Sequence, residues 1–148
     1  MSVLRRLDHV AVLIRDTEDA LTFYRDRLGL AVHSSEEIPD QHVRLTYLDA
    51  GNAYIQLVEP LDADSPLMDW LAEHGEGLHH ICFGVDDVSE AVVALSDDGA
   101  PVTLGTGRGR ASGFVTTDSG HGVRIECTEF KRSLDVDESL GYIPSRVR

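Results

Sequence analysis

The sequence predicts an α+β fold built from two tandem βαβββ modules. The first observation is a weak internal repeat, in which a shift of 71 positions maps His9 onto His80 and Asp16 onto Asp87. The second is the content of each copy: a strand-like run, an acidic helix cap, a helix and three further strand-like runs. The third is that glycine, proline and asparagine separate these runs, which is typical of turns.

In the first module, the helix is predicted to begin at Asp16, whose carboxylate can accept free backbone N–H groups of the first turn. Gly29 is predicted to end the helical region, because glycine adopts the left-handed conformation without strain. The apolar stripe at helical spacing comprises Ala20, Leu21, Tyr24 and Leu28. Three strands are then predicted over residues 30–37, 43–48 and 53–59.

The second module repeats this order, with Asp87 as the helix cap and Gly99 as its end. Its later strands are predicted over residues 102–106, 113–117 and 123–129. Residues 65–74 are predicted to form a linking helix, with Ser65 as its cap and Pro66 in the first turn. We therefore expect one domain over residues 4–130, with modules at about 4–61 and 76–130, and a C-terminal tail over residues 131–148.

Composition excludes several classes of function. The net charge of −13 argues against nucleic-acid binding, which depends on lysine and arginine. No apolar run approaches the roughly 20 residues of a membrane span, and the N-terminus lacks the apolar segment of a signal peptide. A cytoplasmic location is the resulting expectation. Cys82 and Cys127 lack the spacing of a zinc or redox motif and are predicted to be buried, reduced thiols.

Four predicted strands each place one potential metal ligand opposite a smooth apolar face, because side chains alternate between faces with a period of two. These ligands are His9, Gln56, His80 and Glu126. The two histidines are 71 positions apart and the glutamine and glutamate are 70 positions apart, so the repeat pairs the histidines with each other and the glutamine with the glutamate. The pseudo-twofold symmetry therefore predicts that all four surround one point. Any one of them alone would more simply be a half-buried polar side chain.

Two imidazoles, a carboxylate and an amide oxygen form a mixed N/O ligand set. This set suits one divalent ion, Co(II), Mn(II), Zn(II), Ni(II) or Fe(II), better than Ca(II), and it requires no organic cofactor. Open coordination positions on such an ion would stabilise an enolate oxyanion. His79 is predicted to lie on the other face of its strand and to serve packing or hydrogen bonding. The remaining histidines are predicted to be solvated: His33, His42, His74 and His121.

Over about residues 4–130 the chain resembles the vicinal oxygen chelate superfamily, which includes glyoxalases, bleomycin-resistance proteins and dioxygenases, and within it the methylmalonyl-CoA epimerases. The matching tracts are Leu7-Asp-His-Val-Ala-Val12, Phe23-Tyr24, Leu28-Gly-Leu30, Ile38-Pro-Asp-Gln41, Ile55-Gln-Leu-Val-Glu-Pro-Leu61, Asp64-Ser-Pro66, Gly75-Glu-Gly-Leu-His-His-Ile81 and Gly122-Val-Arg-Ile-Glu126. The resemblance implies that the modules form a curved mixed sheet around a metal pocket.

The resemblance also implies an activity, the epimerisation of (R)- and (S)-methylmalonyl-CoA by 1,1-proton transfer through a metal-stabilised enolate. Glu126 is the candidate catalytic acid or base, and a raised pKa would suit that role. Some relatives carry a second carboxylate where this chain has Leu45. Tyr47 or a water molecule is the substitute that we consider. Arg108 and Arg110 are candidates for binding the CoA phosphates, with a solvated loop as the alternative.

Three other functions stay open on the sequence. Two histidines and one glutamate form the facial triad of Fe(II) oxygenases, so an extradiol-type dioxygenase is one of them. A glyoxalase-like isomerase or lyase is closer in mechanism, although its ligand set usually includes a second glutamate. A metal-free small-molecule binding protein is the third. The fold further suggests a homodimer, and the resemblance implies a small acyl-CoA as the partner molecule. Composition predicts binding to neither a membrane nor a nucleic acid.

Overall fold

A computed structural model describes residues 3–130 of the chain, and the predicted tail over residues 131–148 lies outside the described residues. The strands are β1 (Leu4–Leu13), β2 (Ala31–Ile38), β3 (Val43–Asp49), β4 (Tyr54–Pro60), β5 (Gly77–Val85), β6 (Leu104–Gly107), β7 (Arg110–Phe114) and β8 (Ile125–Glu129). The helices are α1 (Thr17–Tyr24), α2 (Pro66–His74) and α3 (Val88–Leu95). The predicted α+β fold of two βαβββ modules is confirmed, and α2 lies between the two modules in the chain.

One curled mixed sheet contains all eight described strands, in the order β2-β3-β4-β1-β5-β8-β7-β6. The equivalent strands of the two modules are β1 and β5, β2 and β6, β3 and β7, and β4 and β8. With these matches, the strand order of one half is the mirror image of the other. Within the modules, β1 pairs parallel with β4 and β5 pairs parallel with β8. Strands β1 and β5 are antiparallel and join the modules. The four strands predicted to supply metal ligands therefore lie side by side at the centre of the sheet.

The acidic caps of α1 and α3 follow the prediction. The Asp16 carboxylate accepts a hydrogen bond from the backbone N–H of Asp19 at 2.9 Å, and Asp87 accepts one from Glu90 at 2.9 Å. Each bond satisfies a backbone donor that has no partner inside the helix. The sequence repeat is thus reproduced in local hydrogen bonding.

Two details of the helices differ from the prediction. Ser65 occupies the N-cap of α2, but its side chain makes no capping hydrogen bond. Pro66, whose fixed φ suits the first turn, is the stronger start signal there. Helix α1 already ends at Tyr24, so Leu28 lies beyond the helix and is 53% exposed instead of buried. Gly29 does adopt the expected left-handed conformation, with φ 81°.

The helices of the two modules pack on one face of the sheet. Helix α1 covers a buried cluster of Ile14, Leu21, Leu48 and Leu57, with Ile55 packed against it. Helix α3 covers the corresponding cluster of Val85, Val88, Ala91, Val92 and Cys127. The opposite face therefore remains available for a cavity.

Cys82 and Cys127 are both buried free thiols, as predicted.

The hairpin of β6 and β7 is tighter than predicted. Strand β7 begins at Arg110 instead of residue 113, because only Arg108 and Gly109 form the turn. Their φ values of 56° and 69° are the left-handed values that a two-residue hairpin turn requires at both central positions. Arginine is an uncommon residue at such a position, so the sequence did not indicate this turn type.

Within residues 3–130, no helix is long and apolar enough to cross a bilayer.

Candidate metal centre

The four predicted ligands line one cavity on the face of the sheet opposite α1 and α3. His9 lies on β1, Gln56 on β4, His80 on β5 and Glu126 on β8. The cavity has a volume of about 740 Å³ and includes all four residues in its lining. His9, Gln56 and His80 are 2%, 4% and 7% exposed, so their polar atoms are withdrawn from bulk water. The structure thus brings together residues that are 117 positions apart in the chain.

The Glu126 carboxylate lies between the two imidazoles. Its Oε1 atom is 3.3 Å from His9 Nε2 and 3.1 Å from His80 Nε2. One ring nitrogen of His9, one ring nitrogen of His80 and one carboxylate oxygen of Glu126 all lie within 4.8 Å of one another. That spacing allows the three atoms to contact one ion. The structure therefore brings three of the four predicted ligands into mutual contact range.

Three buried atoms in the cluster make no hydrogen bond within the described part of the chain: His9 Nε2, His80 Nε2 and Gln56 Oε1. Buried polar atoms without partners are rare because each costs desolvation free energy. All three are atom types that coordinate divalent transition metals, as is the Glu126 carboxylate. The residues present therefore fit a divalent metal ion.

The electrostatics of the cluster favour a cation beside Glu126. Burial raises the pKa of Glu126. Close contact with the imidazoles of His80 and His9 has the larger, opposite effect, so the pKa lies below its usual range. Burial lowers the pKa of His9, but Asp8 and Glu126 outweigh this and raise it overall. The expectation of a raised pKa for Glu126 is thus wrong, because its neighbours stabilise the carboxylate. Glu126 is therefore ionised at neutral pH.

A β-bulge precedes each of the two histidines that are predicted ligands. In the pairing of β1 with β5, Asp8 is the extra residue between Leu7 and His9, and His79 is the extra residue between Leu78 and His80. A bulged residue departs from strict alternation, so its side chain can share a face with the next one. The prediction that His79 faces away from His80 is therefore wrong: His79 lines the same cavity.

The two bulged residues contact the second ring nitrogen of the histidine that follows. Asp8 Oδ2 is 2.7 Å from His9 Nδ1, and His79 Nδ1 is 2.8 Å from His80 Nδ1. If His9 and His80 each donate their Nδ1–H to these partners, both Nε2 lone pairs face the cavity. The predicted hydrogen-bonding role of His79 is therefore supported. The repeat, which aligns Asp8 with His79, was the sequence signal for this pair of residues.

Tyr47 contacts the glutamine ligand. Gln56 Nε2 donates a hydrogen bond to the Tyr47 hydroxyl at 2.7 Å, which leaves the amide oxygen of Gln56 for another partner. Burial raises the pKa of Tyr47 above its ordinary value, more than the nearby Arg108 lowers it. Tyr47 is thus a neutral hydroxyl in the cavity wall. Leu45 lies two residues away on the same wall and supplies no proton.

The two arginines predicted to bind CoA phosphates are buried. The Arg108 side chain is 9% exposed, and its NH2 group donates to Asp8 Oδ2 at 2.6 Å. Its guanidinium carbon lies 4.4 Å from the centre of the Tyr47 ring. Arg110 is 7% exposed, and neither arginine belongs to the cavity lining. The alternative of a solvated loop is therefore wrong for these side chains, and phosphate binding stays a prediction.

The amino-acid sequence of the chain is similar to that of a known superfamily and of individual known proteins. A sequence profile of the Glyoxalase/Bleomycin resistance protein/Dioxygenase superfamily matches residues 8–117. The uncharacterized protein YqjC of Bacillus subtilis is 36% identical over 132 residues, which cover 86% of this chain and 94% of that protein. The mitochondrial methylmalonyl-CoA epimerase of Mus musculus is 41% identical over 93 residues, which cover 62% of this chain and 52% of that protein. The chain thus spans about half the length of that mammalian relative.

A solved structure shares the fold. Methylmalonyl-CoA epimerase of Streptomyces coelicolor, as a substituted variant in complex with 2-nitronate-propionyl-CoA, superposes with a TM-score of 0.77 and 33% identity. The match covers 85% of this chain and 94% of that one. It therefore includes most of both modules and the curled sheet on which the ligand cluster lies.

Proposed function

The chain belongs to the Glyoxalase/Bleomycin resistance protein/Dioxygenase superfamily, and on that premise we propose that it is a metal-dependent epimerase of methylmalonyl-CoA. The proposed reaction interconverts the (R) and (S) epimers by 1,1-proton transfer. The observation that carries the proposal is the set of buried ligand atoms without hydrogen-bond partners beside Glu126. The likeness to the mouse and Streptomyces epimerases supports the choice of substrate.

His9, Gln56, His80 and Glu126 would hold the ion. A bound divalent ion would supply Lewis-acid stabilisation of the negative charge that develops on the substrate oxygens. The N/O ligand set fits Co(II), Mn(II), Zn(II), Ni(II) or Fe(II). The buried amide oxygen of Gln56 favours four protein ligands over the three of a facial triad. This favours the epimerase over the dioxygenase alternative.

Glu126 is proposed as the base that removes the α-proton. The C–H bond breaks, its proton moves to the carboxylate, and its electron pair moves into the thioester carbonyl to form an enolate. The lowered pKa of Glu126 keeps the carboxylate ionised before the reaction. Return of a proton to the opposite face of the enolate then gives the other epimer.

The second proton carrier is proposed to be a water molecule. Leu45 offers no proton, and Tyr47 would have to act as a tyrosinate to serve as a base in the reverse direction. Burial raises the pKa of Tyr47, so that form is unfavourable. The Tyr47 hydroxyl instead orients Gln56.

The substrate is proposed to be an acyl-CoA that places its acid end in the cavity. Beside the polar cluster, the walls are formed by apolar side chains that suit a small α-substituent and the thioester arm: Ile38, Val43, Leu45, Val58, Leu67 and Leu104.

We also propose a homodimer and a cytoplasmic location. Light scattering of the purified protein tests the dimer, and subcellular fractionation tests the location.

Deuterium exchange tests the proposed function. One epimer of methylmalonyl-CoA is incubated in deuterated water with protein loaded with each of the candidate metals in turn. The expected result is uptake of one deuterium at the α-carbon together with appearance of the other epimer. Chelator-treated protein serves as the control and should show neither. The proposal fails if no metal supports exchange.

A further inference from the structure

The geometry points to Arg108 as a positioning residue for the proposed metal site, an inference that rests on the proposed function. Arg108 does not line the cavity. It instead contacts two residues, Asp8 and Tyr47, that each hold one ligand side chain. A single cation from the second module thereby fixes two ligands of the first.

The first contact acts on His9. Arg108 donates to Asp8 Oδ2 at 2.6 Å, and the same oxygen lies 2.7 Å from His9 Nδ1. The Asp8 side chain is 3% exposed, so water does not compete for this oxygen. Because one carboxylate oxygen serves both partners, its position depends on the guanidinium. The orientation of the His9 ring, and thus of Nε2, follows from it.

The second contact acts on Gln56. The Arg108 guanidinium lies over the Tyr47 ring at 4.4 Å and near the Tyr54 ring at 5.5 Å. The Tyr47 hydroxyl accepts the hydrogen bond from Gln56 Nε2 at 2.7 Å. A planar guanidinium can stack on an aromatic ring while donating to a carboxylate, which an ammonium group does less well. Arginine is therefore the residue type that serves both contacts at once.

The backbone at Arg108 is arranged to deliver this side chain inward. The residue lies in the two-residue turn between β6 and β7 with φ 56°, and its backbone N–H donates to Glu36 Oε1 at 2.5 Å. That bond ties the turn to the edge strand β2. His80 is instead held by His79, which packs against Trp70 of α2 with ring centroids 5.1 Å apart. The two histidine ligands are thus supported from different parts of the fold.

Metal binding by variants of Arg108 tests the inference. Arg108→Gln and Arg108→Lys are compared with wild type by calorimetric titration with Co(II) and by the visible spectrum of bound Co(II). Arg27→Gln is the matched control, because Arg27 also lies over an aromatic ring, Phe23 at 5.7 Å, but away from the cavity. Urea unfolding of each metal-free protein reports separately on stability.

We expect Arg108→Gln to weaken Co(II) binding roughly 10- to 100-fold and to change the Co(II) spectrum. Arg108→Lys should lie between this variant and wild type, and Arg27→Gln should match wild type. If Arg108→Gln does not fold, the spectrum and affinity of Arg108→Lys decide. Wild-type affinity and spectrum in the folded Arg108 variants would overturn the inference while leaving the proposed function intact. Failure of wild type to bind any metal would overturn both.

Discussion

Asp8 and His79 occupy the same place in the two modules: each is the extra residue of a β-bulge, and each contacts Nδ1 of the histidine that follows it. The chemistry of the two contacts nevertheless differs. Asp8 is an anion paired with Arg108, and its pKa is lowered to about 2 because the partners His9 and Arg108 outweigh burial, which raises it. His79 is neutral, since burial and its neighbours lower its pKa to about 4. The site is therefore symmetric in position and asymmetric in charge.

We predict that His79→Phe lowers metal affinity by roughly 10- to 100-fold, because it removes the partner of His80 Nδ1 and keeps an aromatic ring beside Trp70. Leu78→Ala is the control, since Leu78 is the preceding residue and is 73% exposed. Competition with a chromophoric chelator measures the affinities. Equal affinities in the two variants would exclude a supporting role for His79.

We predict that Glu126→Gln lowers the rate of deuterium exchange at least about 100-fold, even when calorimetry shows the metal bound. The amide keeps the size of the side chain and one oxygen for coordination, but it cannot take the α-proton. Glu37→Gln is the control, because Glu37 forms an exposed ion pair with Arg44 on a strand at the sheet edge. Exchange by Glu126→Gln at the wild-type rate would assign the base to another residue.

We predict that Tyr47→Phe lowers metal affinity less than about tenfold and leaves exchange by the metal-loaded enzyme within about tenfold of wild type. The substitution removes one hydrogen bond to Gln56, whose net value is roughly 1 kcal/mol, and keeps the ring under Arg108. Metal titration and exchange are measured on the same preparation. A loss of 100-fold or more in the metal-loaded enzyme would identify the Tyr47 hydroxyl as the second proton carrier.

We predict that Asp8→Asn destabilises the metal-free protein by about 3 kcal/mol, because it removes the carboxylate that forms an ion pair with the Arg108 guanidinium, and both side chains are less than 10% exposed. The double variant Asp8→Asn/Arg108→Gln should recover part of this loss, since it removes both charges. Urea unfolding of the two single variants and the double variant completes a thermodynamic cycle. Strictly additive effects would show that the two charges do not interact.

Much of this arrangement follows from sequence periodicity. The sequence predicts the four ligands because Gln56 and Glu126 lie opposite smooth apolar faces and because the repeat pairs them, as it pairs His9 with His80. The caps at Asp16 and Asp87 were equally visible. These features depend on regular spacing within an element, which a single sequence displays directly.

The remaining features depend on departures from regular spacing. Strict alternation predicts His79 on the face away from His80, but the bulge breaks that alternation, and a bulge arises from pairing between two distant strands. For Arg108, the sequence leaves phosphate binding and a solvated loop as alternatives, whereas the side chain is only 9% exposed. Its burial requires Asp8, which is 100 positions earlier in the chain, to lie beneath the turn. Such tertiary relationships leave no periodic trace.

The central order β4-β1-β5-β8 has a consequence for folding cooperativity. Each half of the chain supplies two of the four proposed ligands, so neither half alone would reproduce the affinity of the complete set. An ion at a free concentration 100 times its Kd would add about 2.7 kcal/mol to the stability of the folded state, and opening of either half would forfeit that gain. The two modules are joined in the sheet by the pairing of β1 with β5. Metal binding would therefore make them unfold together as one unit, with a melting temperature that rises with metal concentration.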